Sequence, residues 1–270
     1  MRYPAVAGRF YHAKESSLRA QIEDCFKSPL GPGSVPALGK GRGDIVGAVV
    51  PHAGYMFSGP VAAHVYGRIA QEGFPETFVI IGPNHHGMGG QGAMTTEDFV
   101  TPLGVCKVDK ELAKELEGYL DNDPAAHGPE HSVEVQVPFI QYFSAEVRFL
   151  PITMAYQDYE VAKELGAILR KACAGKDVVF LASSDFSHYV PPKVAERKDH
   201  AVIERILRLD AKGVETVVMT QEVSMCGYGP VMAMLEACGG QKAELLKYAN
   251  SGDVQRMPEV VGYAGIVVRK

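Results

Sequence analysis

Three short apolar runs in this 270-residue chain end in histidine: Pro51-His52, Gly82-Pro83-Asn84-His85-His86, and Ser183-Ser184-Asp185-Phe186-Ser187-His188. Neutral imidazole is the commonest metal ligand and the side chain that titrates nearest neutral pH, so several brought together would make a metal centre or an acid/base site. A lone histidine after a strand is more often a hydrogen-bonded structural residue. Equivalent placement after three strands, with glycine or proline beside two of them, favours a shared site. His12, His64 and His200 lie near the start or inside helical patterns and read as packing or surface residues.

Cys226 stands in Ser224-Met225-Cys226-Gly227-Tyr228-Gly229-Pro230, a glycine-rich turn that opens a helical pattern. A helix N-terminus and any nearby cation favour thiolate over thiol. The glycines around Tyr228 suggest close backbone approach, which singles out Cys226. Cys25, Cys106, Cys173 and Cys238 read as small buried residues. An odd number of widely spaced cysteines without a C-x-x-C pair argues against a disulfide framework or a zinc ribbon.

Glu130-His131-Ser132-Val133-Glu134 admits two readings. In one, Ser132 caps a helix, Val133, Val137 and Ile140 face inward, and His131 and Glu134 are capping or solvated groups. In the other, Glu130 or His131 reaches the pocket as a ligand's partner or a substrate contact.

These residues need a scaffold that brings strand ends together. Ile45–Val50 is a continuous apolar run of the kind found in strands buried on both faces, and Phe78–Ile81, Val147–Met154 and Val178–Ala182 read similarly. Helices are predicted over Lys14–Phe26, from an N-cap at Ser58 with Pro60 in the first turn to about Gln71, over Tyr159–Ala174, Pro192–Leu209 and Gly229–Ala237. Leu245–Ala249 and Val261–Val268 read as further strands, and Phe99–Val108, with Pro102-Leu103-Gly104 in the middle, as an antiparallel excursion. Alternating strands and helices define an α/β protein, whose ligands sit at the carboxyl ends of its strands. Residues 28–43, dense in glycine and proline, read as a flexible surface loop, and the whole of residues 1–270 as one domain.

The composition is that of a soluble globular protein: 46% hydrophobic, 22% charged, net charge −5. An acidic balance argues against nucleic-acid binding. No apolar run approaches the roughly 18 residues of a membrane span, and the start lacks a signal-peptide core, so a cytoplasmic protein is expected. A chain of this size needs no structural metal to fold, so a metal here would be functional.

Taken together, Pro4-Ala5-Val6-Ala7-Gly8 with Phe10-Tyr11, Pro51-His52-Ala53-Gly54-Tyr55, Gly82-Pro83-Asn84-His85-His86, Glu130-His131-Ser132 with Glu134, Ser183-Ser184-Asp185-Phe186-Ser187-His188, Cys226-Gly227 and Gly262-Tyr263-Ala264-Gly265 resemble the Memo family. Its prokaryotic members are also called AmmeMemoRadiSam system protein B. The resemblance implies a fold like that of class III extradiol dioxygenases, a single domain with a central mixed β-sheet flanked by helices. In those enzymes two histidines and a glutamate hold Fe(II), and another histidine moves the proton. By that resemblance His52, His85 and Cys226 would hold the metal, with Cys226 in the glutamate's place. His188 would act as acid/base with Asp185 orienting it, and His86, Glu130 and His131 would contact substrate. Fe(II) is the first expectation, but a soft thiolate in place of a carboxylate also admits Cu or Zn. The family name further implies radical-SAM and Ammecr-type proteins as partners.

Three functions compete at this level. One is a metal-dependent redox enzyme acting on a small molecule. Another is a binding or scaffold protein that uses the pocket for a peptide or small anionic ligand. The third is metal-free nucleophilic catalysis by Cys226 with His188 as base.

Overall fold

The buried apolar runs form the strands that their composition predicts. A computed structural model describes residues 1–90 and 92–270. The chain runs α1 (Glu15–Lys27), β1 (Ile45–Val50), α2 (Tyr55–Glu72), β2 (Thr77–Pro83), β3 (Gly92–Met94), β4 (Phe99–Thr101), β5 (Gly104–Cys106), α3 (Lys110–Glu115), β6 (Asp121–Asn122) and α4 (Pro124–His127). A 3-10 turn (Glu134–Gln136) leads into α5 (Val137–Phe143), β7 (Arg148–Met154), α6 (Tyr159–Ala172), β8 (Val178–Ser183), β9 (His188–Val190), α7 (Pro192–Leu207), α8 (Ala211–Thr220), α9 (Tyr228–Cys238), β10 (Lys242–Asn250), α10 (Ser251–Val254) and β11 (Val260–Arg269).

The main sheet is mixed, in the order β10-β11-β1-β8-β2-β7-β3-β6, with β9 pairing β11. Its centre, β1-β8-β2-β7, is parallel throughout, while β11 joins β1 antiparallel and β3 joins β7 antiparallel. Every residue of β1, β2 and β8 is buried, as expected of parallel strands covered on both faces. Helix α9 packs on β1, β2 and β8, and α2 on β1, β10 and β11. Helix α6 is amphipathic: Ala162, Leu165 and Leu169 are buried, and the Asp158 side chain caps it through the Val161 N–H. The Phe99–Val108 excursion contains the β4–β5 hairpin.

Helix α2 corrects one expectation. It begins at Tyr55, three residues before Ser58, because the Gly54 carbonyl accepts the N–H groups of Phe57 and Ser58. Ser58 is therefore inside the first turn, its hydroxyl donating to the Ala53 carbonyl, and Pro60 lies in the helix proper. Helix α7 likewise ends at Leu207, two residues early, and Leu209 takes a left-handed φ of 56° before α8, which sequence periodicity did not predict. Residues 28–43 form neither helix nor strand; Gly33 donates to the Phe26 carbonyl and Gly39 to that of Ala70, laying this segment along α1 and α2. No helix among the described residues is long and apolar enough to cross a membrane.

Candidate metal centre

Register aligns the carboxyl ends of the central strands. Val50 pairs with Ser183 across β1 and β8, and Ile81 with Ala182 across β2 and β8. The loops that follow carry His52, His85 and Asp185, so residues distant in sequence leave the sheet side by side. This edge is where open α/β sheets place their ligands.

His52 is buried, and its Nε2 lies 3.2 Å from Cys226 Sγ. The imidazole centroids of His52, His85 and His131 are 4.7 to 5.4 Å apart. Donor atoms of His52, His85 and Cys226 all fall within 4.8 Å of one another, and those of His85, Glu130 and His131 form a second such group sharing His85. Burial, reinforced by the neighbouring His131 and His85, pushes the His52 pKa well below the ordinary histidine value. Burial likewise pushes His131 down to about 4. Both rings are thus neutral, the form that binds metals.

Glu130 is buried and collects the donors around it. Its carboxylate accepts the His85 backbone N–H at 2.6 Å, His85 Nδ1 at 3.0 Å, and the N–H groups of His131 and Ser132 at 2.8 Å each. Burial alone would raise its pKa, but the His85 imidazole and these N–H groups outweigh it and hold the carboxyl well below its usual range. Glu130 therefore anchors His85 through Nδ1 and leaves Nε2 directed elsewhere, an arrangement typical of metal-bound histidine. Close approach of this segment requires Gly82, where a Cβ would meet Ser132 Oγ at 2.4 Å.

Cys226 arrives on the turn before α9. Gln157, after β7, holds that turn from both sides, Nε2 donating to the Cys226 carbonyl at 2.8 Å and Oε1 accepting from Gly229 N–H at 2.9 Å. The Asp185 N–H donates to Sγ at 3.3 Å. Contrary to the expected pull of a helix N-terminus, burial and then the Asp185 carboxylate push the thiol pKa up. Without a cation in the site Cys226 is a thiol; a bound metal would deprotonate it.

Asp185 does not orient His188 as expected. Its Oδ1 accepts the backbone N–H groups of His52 at 2.8 Å and Ala53 at 3.3 Å, and burial raises its pKa to about 6 against that support. Ser224 orients His188 instead: its Oγ accepts the His188 N–H at 2.7 Å, and its carbonyl lies 2.8 Å from Nδ1. His86 is exposed, with its backbone turned toward Asn84. His131 packs edge-on against Phe10, a wall of an adjoining depression of about 510 Å³ that contains none of the three clustered donors.

Other corrections fall in the same region. Ser132 does not cap a helix; its hydroxyl donates to the Pro83 carbonyl at 3.0 Å. Glu134 is fully buried rather than solvated, paired with Arg2 and accepting from Tyr11 Oη at 2.6 Å and from the N–H groups of Ala5 and Val6. The supporting roles of Arg2 and Gln157 have no local sequence signal, since each depends on a partner far along the chain.

Two imidazoles, with Nδ1 of His85 at Glu130 and Nδ1 of His52 at the Ser183 hydroxyl, and one cysteine sulfur suit a metal ion. Around a tetrahedral zinc, bond lengths of about 2.0–2.1 Å to nitrogen and about 2.3 Å to sulfur separate donors by roughly 3.3–3.6 Å. The His52–Cys226 distance of 3.2 Å is close to that span, and the remaining separations are within 4.8 Å. Three protein donors leave further coordination positions open.

Fold and site together define a single-domain α/β protein with a candidate His-His-Cys metal centre at the carboxyl edge of its sheet. The Memo-like protein family profile matches residues 2–267. A MEMO1 family protein of Methanopyrus kandleri is 48% identical over 280 aligned residues, covering 100% of this chain and 99% of its own. Another, of Methanothermobacter thermautotrophicus, is 46% identical over 274 residues, covering 98% and 99%. The chain belongs to the Memo family. The crystal structure of an uncharacterized protein from Escherichia coli K12 shares the fold, with a TM-score of 0.50 at 14% identity, covering 83% of this chain and 99% of its own.

Proposed function

We propose that this chain is a metal-dependent oxidoreductase acting on a small molecule, with Fe(II) as its metal and Cu or Zn as alternatives, held by His52, His85 and Cys226. The observation that carries this reading is the convergence of these three donors within 4.8 Å. The metal, when bound, would supply a Lewis-acidic, redox-capable centre with open positions. In this reading His188 is the acid/base, its Nδ1 held against the Ser224 carbonyl and its Nε2 the atom that would carry the proton. His131, against Phe10, and the exposed His86 offer polar contacts to a substrate at the rim.

A metal-free cysteine nucleophile has less support, because the imidazole at Cys226 Sγ is His52 rather than His188, and burial keeps the thiol protonated.

The test is metal content in protein purified reduced and without oxygen, as the wild type and as Cys226→Ser. About one equivalent of iron or copper in the wild type, lost in the variant, is expected. A wild type that takes up neither Fe(II), Cu(I) nor Zn(II) would overturn the reading and leave a binding protein in its place.

A further inference from the structure

The carboxylate of Glu130 accounts for how His85 is held, but His52 has no carboxylate at Nδ1. Its Nδ1 lies 2.9 Å from the hydroxyl of Ser183, the last residue of β8. Ser183, Ser132, Gln136 and Tyr66 are all buried, so their hydrogen bonds must be satisfied by protein groups rather than by solvent.

Proton counting gives a unique solution. A serine hydroxyl carries one proton and two lone pairs. Ser183 Oγ lies 2.6 Å from the Ser132 carbonyl, which can only accept, so the proton goes there. Its second neighbour, Gln136 Nε2 at 2.8 Å, can only donate. The orientation of that amide is itself determined: Nε2 also donates to the Pro51 carbonyl at 3.0 Å, and Oε1 accepts from Tyr66 Oη at 2.8 Å. A flipped amide would set an oxygen against the Pro51 carbonyl. Ser183 can therefore offer His52 only a lone pair. Nδ1 of the neutral ring must bear the hydrogen, and the free lone pair falls on Nε2, the atom that faces Cys226.

We propose that Tyr66, Gln136 and Ser183 form a positioning chain that fixes the Nδ1–H tautomer of His52 before any metal arrives, making Nε2 the ligand atom. Its consequence for affinity rests on the metal-centre reading above; the tautomer does not. One histidine of the site is thus held by an anion and the other by a neutral hydroxyl, which orients the ring without adding charge.

The experiment is a long-range 1H–15N correlation spectrum of metal-free, full-length protein labelled at histidine, with His52 assigned by its absence in His52→Asn. The wild type should show protonated Nδ1 and a bare, pyridine-like Nε2. Ser183→Ala should populate the Nε2–H form and weaken Zn(II) binding, titrated alone, by roughly 10- to 100-fold, the usual cost of losing a ligand's hydrogen-bond partner. An Nε2–H wild type would overturn the proposal, as would a Ser183→Ala protein that keeps the wild-type spectrum; a changed spectrum with unchanged Zn(II) affinity would overturn only the consequence for metal binding. If Ser183→Ala does not fold, the wild-type spectrum decides alone. If the wild type binds no metal, the spectra still decide the tautomer, separately from the proposed function.

Discussion

Cys226 Sγ stands 3.2 Å from His52 Nε2 although the two residues are 174 positions apart in the chain. The contact depends on how closely the turn before α9 approaches the end of β8. At Gly227 a Cβ would fall 2.5 Å from the Ser183 carbonyl oxygen and 2.7 Å from Ser184 Cβ, distances no side chain tolerates. Gly227→Ala should cost about 1–3 kcal/mol of stability and lower metal affinity by displacing Sγ. Urea unfolding of the metal-free protein and a Zn(II) titration would measure the two effects.

Glu130 accepts four hydrogen bonds, two of them from His85. Glu130→Gln keeps the shape but puts a donor in place of one oxygen: at Oε1 it opposes His85 Nδ1 and the N–H groups of His131 and Ser132, and at Oε2 the backbone N–H of His85. Metal affinity should fall roughly 10- to 100-fold, with His85 rather than His52 showing the changed imidazole spectrum. An unchanged affinity would remove Glu130 from the role of anchor.

The buried Arg2–Glu134 pair ties the amino-terminal residues to the segment bearing Glu130, since Arg2 also donates to the carbonyls of His127 at 3.1 Å and Glu130 at 2.7 Å. Arg2→Met leaves the carboxylate of Glu134 buried with only its N–H and hydroxyl donors. Breaking such a pair from one side costs about 3–5 kcal/mol. Denaturant titration should show that loss, and Arg2→Met with Glu134→Gln should recover part of it, because the orphaned charge is gone.

His127 is buried, its Nε2 3.2 Å from the Ala93 carbonyl, and burial pushes its pKa down to about 4. In the unfolded chain the same imidazole titrates near 6.5. Between these values the unfolded state takes up a proton that the folded state refuses. Stability should therefore fall as pH drops from about 6.5 to about 4, and level off below, for a total of about 3 kcal/mol from this residue. His127→Gln, which keeps a donor for Ala93, should flatten that window relative to the wild type when urea midpoints are compared at pH 7, 5.5 and 4.

Much of the fold could be read from local pattern. Continuous apolar runs at Ile45–Val50 and Val178–Ala182 specify strands buried on both faces, and the helical stripe of α6 specifies its inner side, because period and burial are local properties. Histidines placed just beyond such strands could be read as a shared edge, since strands that run parallel end on the same side. What the linear pattern left open was decided across the sheet. Strand order β1-β8-β2-β7 sets His52 beside Asp185 and His85, turns Asp185 toward the His52 backbone instead of His188, and gives Glu130 to His85. Ser58 reads as a helix cap from its type alone, yet the chain enters α2 earlier because Gly54 supplies the first acceptor. Residue types and their positions after strands were determined by the sequence by itself. The partner of each buried polar atom was decided only by tertiary packing, because burial removes water as the alternative partner and leaves each donor to whichever distant acceptor the sheet brings within reach.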